Sequence, residues 1–269
     1  EEIVGKPDWI RQNQKKALEL LAQKGFGPEQ VKAVWNDPDE DYFLRMTPED
    51  IAWHTQSIAE HGGNPEPLIK IKDKSEHRHE GATQVFIYSK NSNYLFANIA
   101  NAFDRLNLNI QGASIFNSEH EYCIKVFMVL EENGSPIGKN PRRIHEITRT
   151  LQEYVSASGF KPCNASGRTP RKLRHFTHNT RTSLTNDDNL PYSTLEVLCP
   201  DRPGLLAQVA NIFVEMNINL HNAKITTLGE NVEDVFFITD SNNQPLLDED
   251  FNEKLQHSIR TTLDAQVQH

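Results

Sequence analysis

The sequence is poor in cysteine and has no long apolar run. Cys123, Cys163 and Cys199 are the three cysteines among 269 residues. This odd, scattered set predicts reduced thiols rather than a disulfide framework, and the spacing contains no CxxC or Cys/His pattern typical of metal sites. No segment approaches the roughly 18 consecutive apolar residues of a membrane span, and no signal-peptide pattern opens the chain. We therefore expect a cytoplasmic chain with no metal site and no membrane partner.

Positive charge is also scarce overall. The chain has 28 Lys and Arg against 37 Asp and Glu, a net charge of -9. This balance disfavours nucleic acid as the main partner, because binding phosphates needs a basic surface. Residues 161–190 are locally basic, and we predict a linker there that docks on the chain's own acidic domain or on an anionic partner. The alternative, a nucleic-acid patch at 161–181, requires salt-sensitive binding.

The first sixty residues have helical patterning. Thr47 is placed to cap a helix that starts with Pro48 and ends at the glycine pair 62–63. Two helical stretches precede it, one from about Asp8 to Lys24 and a short one after Gly27-Pro28, and the aromatic residues of "DYFLRM" (41–46) give this small helical unit something to bury. We predict a helical segment over 1–63, followed by a linker over 64–82.

The remainder of the chain contains an internal repeat. At a spacing of 110 residues, "LFANIANAFDRLNLNI" (95–110) matches "LLAQVANIFVEMNINL" (205–220). Each copy has the pattern strand, helix, two strands, helix. The sequence therefore predicts an α+β protein with two ferredoxin-like βαββαβ domains over 83–160 and 191–269. The closing strand of the first domain is predicted within 175–184, and that of the second is predicted to be short, absent or lent by a neighbour.

The turn "CPDRPGLL" (199–206) joins a strand to a helix in the second copy. A helix N-terminus carries free N–H groups and partial positive charge, so it attracts anions such as a carboxylate. Gly204 lacks a Cβ and leaves its own N–H and that of Leu205 open to a ligand. Asp201 can cap the helix or accept hydrogen bonds from an ammonium group. These features predict a site for a small zwitterion.

"DRPGLL" followed by "HNAKITTLGENVEDVFFITD" resembles the ACT domain, a regulatory module that binds amino acids. With "VWNDPDEDYFLRMTPEDIAWHTQSIAEH" ahead of the first copy, nearly the whole chain resembles the C-terminal region of the bifunctional uridylyltransferase/uridylyl-removing enzymes of the PII signalling protein. The resemblance implies glutamine as ligand, PII as partner, and catalytic domains upstream that use a divalent metal such as Mg. A start at Glu1 rather than Met agrees with a fragment.

Neither catalytic signature of that family occurs in the sequence. The nucleotidyltransferase half would need a Gly-Ser turn with Asp-x-Asp, and the hydrolase half would need a His-Asp metal cluster. We therefore expect no catalytic residue and no cofactor in this chain. The predicted function is the regulatory, glutamine-sensing part of such an enzyme. A stand-alone tandem ACT regulator, acting through protein–protein contacts, is the alternative.

The predicted ligand residues all lie in the second copy. Gly204 and Leu205 are predicted to bind the ligand's carboxylate, Asp201 and Asn219 its ammonium group, and His221 and Asn222 its side-chain amide. Asn219 is included because the family uses the matching position. In the first copy Tyr94 replaces Gly204, and its ring predicts weaker or different binding there.

Overall fold

The computed structural model describes residues 6–36, 38–73, 81–117, 121–163 and 180–265. Four helices form the N-terminal segment: α1 Lys6–Gln23, α2 Pro28–Trp35, α3 Glu40–Arg45 and α4 Pro48–His61. The predicted cap is confirmed, because the Thr47 side chain accepts a hydrogen bond from the Asp50 N–H and Gly62 ends α4 with a left-handed backbone. The two ends of α4 are therefore set by residues next to them in the sequence.

The two copies of the repeat have the same order of elements. The first contains β1 Leu68–Asp73, β2 Thr83–Lys90, α5 Leu95–Arg105, β3 Asn109–Asn117, β4 Tyr122–Leu130 and α6 Pro141–Val155. The second contains β5 Arg181–Asn186, β6 Ser193–Pro200, α7 Leu205–Glu215, β7 Asn219–Leu228, β8 Asn231–Thr239 and α8 Glu249–Ala265. The strands are hydrogen-bonded in the order β1-β2-β4-β3-β7-β8-β6-β5. The predicted α+β class is confirmed.

The fourth strand of each copy comes from the preceding segment rather than from the chain's continuation. Residues 64–82, predicted as a linker, contain β1, which pairs with β2. Residues 161–190, also predicted as a linker, contain β5, which pairs antiparallel with β6 from Arg181↔Leu198 to Asn186↔Ser193. The strand predicted to close the first copy within 175–184 therefore belongs to the second. Its first part, 175–179, lies outside the described residues.

The described chain divides into two compact units. One holds the helical segment as far as Lys70, together with Phe86–Asn91 and Phe116–Lys125. The core of this unit is aromatic: Tyr42 packs edge-on against Phe116 at 5.3 Å, and His54 stacks on Phe86 at 4.1 Å. The Tyr42 hydroxyl and His54 Nδ1 are 2.8 Å apart. Burial raises the pKa of Tyr42, as does the charge of Asp50, so this hydroxyl stays protonated.

The other unit, Ile71–Val85, Ser92–Ile115 and the chain from Val126, contains the paired helices α5 and α7. Asn101 and Asn211, equivalent positions in the repeat, meet between these helices: Asn101 Nδ2 donates to Asn211 Oδ1 at 2.7 Å. Asn101 Nδ2 also donates to the Ala97 carbonyl, and Asn101 Oδ1 accepts from the Cys163 N–H. A buried amide with these partners fixes how the two copies pack.

Asn211→Ala is expected to lower the melting temperature of the chain. The change removes a side-chain hydrogen bond at the interface of the two copies, and such bonds contribute about 1 kcal/mol each. Thermal unfolding followed by circular dichroism would measure the loss. Asn101→Ala alone and combined with Asn211→Ala complete a double-mutant cycle. Purely additive effects would contradict a direct bond between the two amides.

Candidate ligand-binding site

An open cleft lies where the turn of the second copy meets α5 and β3 of the first. The second copy lines it with the turn 201–207 and with three strand residues, Ile225, Val232 and Asp234. The first copy contributes residues from α5 and β3, including Asp104 and Asn109. The cleft is therefore composite, built from both halves of the repeat.

The N-terminus of α7 opens into this cleft. Gly204 is its N-cap, with φ at 76°, and no side chain caps the helix. Gly204 and Leu205, two of the predicted ligand residues, line the cleft. A Cβ on Gly204 would lie 3.0 Å from Asp104 Oδ1. Because glycine has no Cβ, the Asp104 carboxyl group on α5 can come close to this turn. Glycine is required here both by the left-handed backbone and by this close approach.

Asp201 and Arg202 place opposite charges at the same turn. The Asp201 N–H donates to the Glu230 carbonyl at 2.8 Å, and burial raises the pKa of its carboxyl group. Arg202 donates to the Leu263 carbonyl and, at 3.1 Å, to Gln208 Oε1. Burial lowers the pKa of Arg202. Asp201 lines the cleft but does not cap α7.

Asp234 is the least expected residue of the cleft. It occupies an inward position of β8 together with Val232, Phe236 and Ile238, and its side chain is 0% exposed. Neither of its carboxyl oxygens has a hydrogen-bond partner. Burial, and next the charge of Asp201, raise the pKa of Asp234 to about 8, although the Thr226 backbone acts in the opposite direction. An uncharged acid is therefore the stable form at neutral pH.

The remaining predicted residues do not line the cleft. Asn219 donates to Asn243 Oδ1 at 3.1 Å on an exposed surface, and His221 Nε2 lies 2.7 Å from Thr239 Oγ1. Asn222 is also absent from the cleft lining. The repeat equivalent of Asn219, Asn109, lines it instead. The spacing of 110 residues was the signal that could have identified Asn109, given that the two copies pack together.

The corresponding turn of the first copy has a different backbone. Its N-cap, Tyr94, has φ at -105° rather than a left-handed value, so the chain approaches α5 differently. The Tyr94 ring is 39% exposed and lies 6.4 Å from the Phe160 ring. The backbone and the side chain both differ from those at Gly204, which supports the expectation that the two turns are not equivalent in binding.

The fold and the cleft define the class of the second copy, which is an ACT domain: residues 193–255 match the ACT domain family. Residues 6–57 match the family described as "Uridylyltransferase GlnD fifth domain". Within the described residues, no helix is both long and apolar enough to cross a membrane. The same residues contain no group of three or more His, Cys, Asp or Glu able to hold a metal ion.

Particular proteins resemble the chain over almost its full length. It is 42% identical over 263 residues, 98% of the chain, to a bifunctional uridylyltransferase/uridylyl-removing enzyme of Azotobacter vinelandii (strain DJ / ATCC BAA-1303). It is likewise 42% identical over 259 residues, 96% of the chain, to the enzyme of the same name from Stutzerimonas stutzeri (strain A1501). The aligned region is 29% of each relative's length. The chain therefore spans less than a third of these proteins.

Asp234→Asn is expected to stabilise the unliganded chain more at pH 8 than at pH 5. The unfolded aspartate loses its proton near its ordinary pKa of 3.8, whereas the folded one keeps it to about 8. The folded state thus binds more protons in this window, and stability falls as pH rises through it. For a domain of this size each kcal/mol shifts the melting temperature by about 2–4 °C, so we expect a gap of several degrees at pH 8.

Melting temperatures of both proteins between pH 5 and 8 would measure this gap. Asp188→Asn, which removes the same charge from an exposed turn, controls for the change in net charge. A difference between Asp234→Asn and the parent that stays constant with pH would contradict a raised pKa at Asp234.

Proposed function

We propose that this chain is the regulatory, glutamine-sensing part of a PII uridylyltransferase/uridylyl-removing enzyme. The observation that carries the proposal is the composite cleft, in which an uncapped helix N-terminus faces three carboxyl groups. A free amino acid has the complementary arrangement, a carboxylate and an ammonium group on one carbon. The resemblance to the uridylyltransferase family supports the regulatory role and supplies glutamine as the ligand.

The carboxylate of glutamine is placed at the N-terminus of α7. The N–H groups of Gly204 and Leu205 belong to the first turn, where the partial positive charge of the helix is greatest. The missing Cβ of Gly204 gives a ligand access to them, and Asp104, whose carboxyl group now approaches this space, would turn toward the ligand's ammonium group. Asp201 on the same turn is a further acceptor for that group.

Asn109 is proposed to take the place given to Asn219 from the sequence. An amide side chain both donates and accepts, so it can bind another amide or hold the α-substituents of a zwitterion. Asn109 lines the cleft at the start of β3, and it is the only amide side chain among the described lining residues. The site thus requires residues from both copies.

In the whole protein we propose catalytic domains upstream of this chain, with a divalent metal such as Mg, that act on PII. Glutamine in the cleft would then change which of the two activities dominates, as a nitrogen signal. The alternative is a stand-alone tandem ACT regulator that acts through protein–protein contacts. Identity of 42% across 98% of the chain favours the first. Upstream coding sequence with Gly-Ser, Asp-x-Asp and His-Asp motifs would decide between them.

Glutamine is expected to raise the melting temperature of the chain, and Gly204→Ala is expected to abolish that rise. We expect a Kd near millimolar, and a glutamine concentration a hundred times the Kd would then raise the free energy of unfolding by about 2.7 kcal/mol. The added methyl group would lie 3.0 Å from Asp104 Oδ1 and fill the approach to the N–H groups. Differential scanning fluorimetry with a panel of amino acids measures both effects.

Gly229→Ala is the matched control. Gly229 also has a left-handed backbone, with φ at 65°, but a Cβ there meets nothing within 4 Å. Both changes carry the backbone strain of a non-glycine residue, about 1–2 kcal/mol, whereas only Gly204→Ala alters the cleft. A chain that responds to no amino acid, or a glutamine response that survives Gly204→Ala, would contradict the proposed site.

Asn109→Ala is expected to weaken glutamine binding at least tenfold, whereas Asn219→Ala leaves it unchanged. The two asparagines occupy equivalent positions, but Asn109 lines the cleft and Asn219 bonds to Asn243 on the surface. Loss of a hydrogen bond to a charged or amide group costs about 1.5–3 kcal/mol. Isothermal titration calorimetry on both variants compares the positions directly. The reverse order of effects would place the ligand within the second copy, as the sequence alone predicted.

A further inference from the structure

Asp234 combines burial, a place in the lining of the cleft and carboxyl oxygens that make no geometrically well-formed hydrogen bond within the described residues. Its side chain is 0% exposed, it lines the cleft, and both carboxyl oxygens are without a hydrogen bond. A buried polar group is normally satisfied, so an orphaned carboxyl group in a ligand site points to a partner that the ligand brings. The inference drawn from it rests on the proposed function, because it concerns the same cleft.

Among the described residues that line the cleft, no cationic group is hydrogen-bonded to Asp234. Two other carboxyl groups line the cleft, Asp104 from α5 and Asp201 from the turn. Arg202, the one cation among the described lining residues, already donates to the Leu263 carbonyl and to Gln208.

The neighbouring strand and helix do not supply a cation either. On β6, burial and next the charge of Asp234 raise the pKa of the Cys199 thiol to about 12, so this thiol stays neutral. The charge of Asp264 on α8 raises the pKa of Cys199 and of Arg202. Its carboxyl group also accepts hydrogen bonds from the Thr180 N–H and hydroxyl. Within the part of the chain that the structure describes, no cation pairs with Asp234, and the ammonium group of the ligand is the cation that the proposed function supplies.

We propose that Asp234 is the counter-ion of the ligand's ammonium group and that it releases its proton to solvent when the ligand enters. In the free protein the carboxyl group is neutral, because a bare carboxylate in this position has neither water nor a cation to stabilise it. The ligand's ammonium group supplies the positive charge. The O–H bond of the acid then breaks, the proton passes to water or buffer, and the carboxylate forms an ion pair with the ammonium group.

This arrangement makes ligand binding depend on pH. At pH 7 the free protein holds the proton, since the pKa of Asp234 is about 8, and the complex does not. Binding therefore releases close to one proton per ligand, and affinity rises by about tenfold per pH unit from pH 6 toward 8. Above that value the free protein has already lost the proton, and the dependence levels off.

The test is isothermal titration calorimetry of the 269-residue chain with glutamine, at pH 7, in phosphate and in Tris. Because the two buffers differ in ionisation enthalpy, the difference in heat counts the protons released. We expect close to one proton for the parent chain and none for Asp234→Asn, with at least tenfold weaker binding by the variant at pH 8 and a smaller deficit at pH 6. Glutaramate, which is glutamine without its amino group, should release no proton.

Asp201→Asn and Asp104→Asn are the matched variants, each removing another carboxyl group of the cleft. Asp104→Asn should still release the proton, whereas Asp201→Asn should release a smaller fraction of it at pH 7, because the charge of Asp201 helps to raise the pKa of Asp234. If one of these two variants released no proton while Asp234→Asn still released one, the residue changed in that variant would be the counter-ion. That result would overturn the proposal. For a readout that does not depend on variants, the carboxyl carbon of Asp234 in carbon-13-labelled parent chain should titrate near pH 8 without glutamine and below 6 with it.

The two proposals fail in different ways. Glutamine binding by the parent chain without proton release, and with equal affinity at pH 6 and 8, would overturn the role of Asp234 and leave glutamine sensing intact. No heat and no thermal shift with glutamine would overturn glutamine sensing itself. If Asp234→Asn does not fold, the proton count and the carbon-13 titration of the parent chain still decide the role of Asp234.

Discussion

The side-by-side packing of the two repeats is the constraint on which the candidate site depends. β3 pairs with β7 in the sheet, and Asn101 hydrogen-bonds Asn211 between α5 and α7. This packing brings the N-terminus of α7 up to Asp104 and Asn109. The second copy alone would have an open turn, with its N–H groups in water and without the carboxyl group of Asp104 or the amide of Asn109. The amide pair thus supports the cleft as well as the fold.

The repeat is symmetric in architecture but not in chemistry. Each copy makes an aromatic pair between its first helix and its third core strand, Phe103 with Phe127 and Phe213 with Phe236. Two residues before the strand phenylalanine stand Lys125 in the first copy and Asp234 in the second, both buried. Lys125 donates to Cys123 Sγ at 3.2 Å, whereas Asp234 has no partner. Positions that match in the fold have therefore diverged in charge and in environment.

Local signals in the sequence were sufficient for most of the fold. Thr47, Pro48 and Gly62 bound a helix through backbone chemistry that depends on near neighbours alone, and the internal repeat predicted the order of elements. The outer strands β1 and β5 were missed because a short edge strand has weak patterning: only two of the six residues of β1, and none of β5, are buried. Strand pairing decides their conformation, and pairing is not visible in a local pattern.

The site shows the same division between local and long-range information. Asp201, Gly204 and Leu205 belong to one turn, so a motif could identify them together. Asn109 is 95 residues before Gly204 in the sequence, and its approach to the turn depends on how the copies pack.

Asp234 did have a local signal, because it interrupts the run of inward apolar residues Val232, Phe236 and Ile238. An acid at such a position carries a cost of burial that packing alone does not repay. That cost is consistent with a function for its charge, and the neighbouring helix N-terminus indicates which kind of molecule would provide the opposite one.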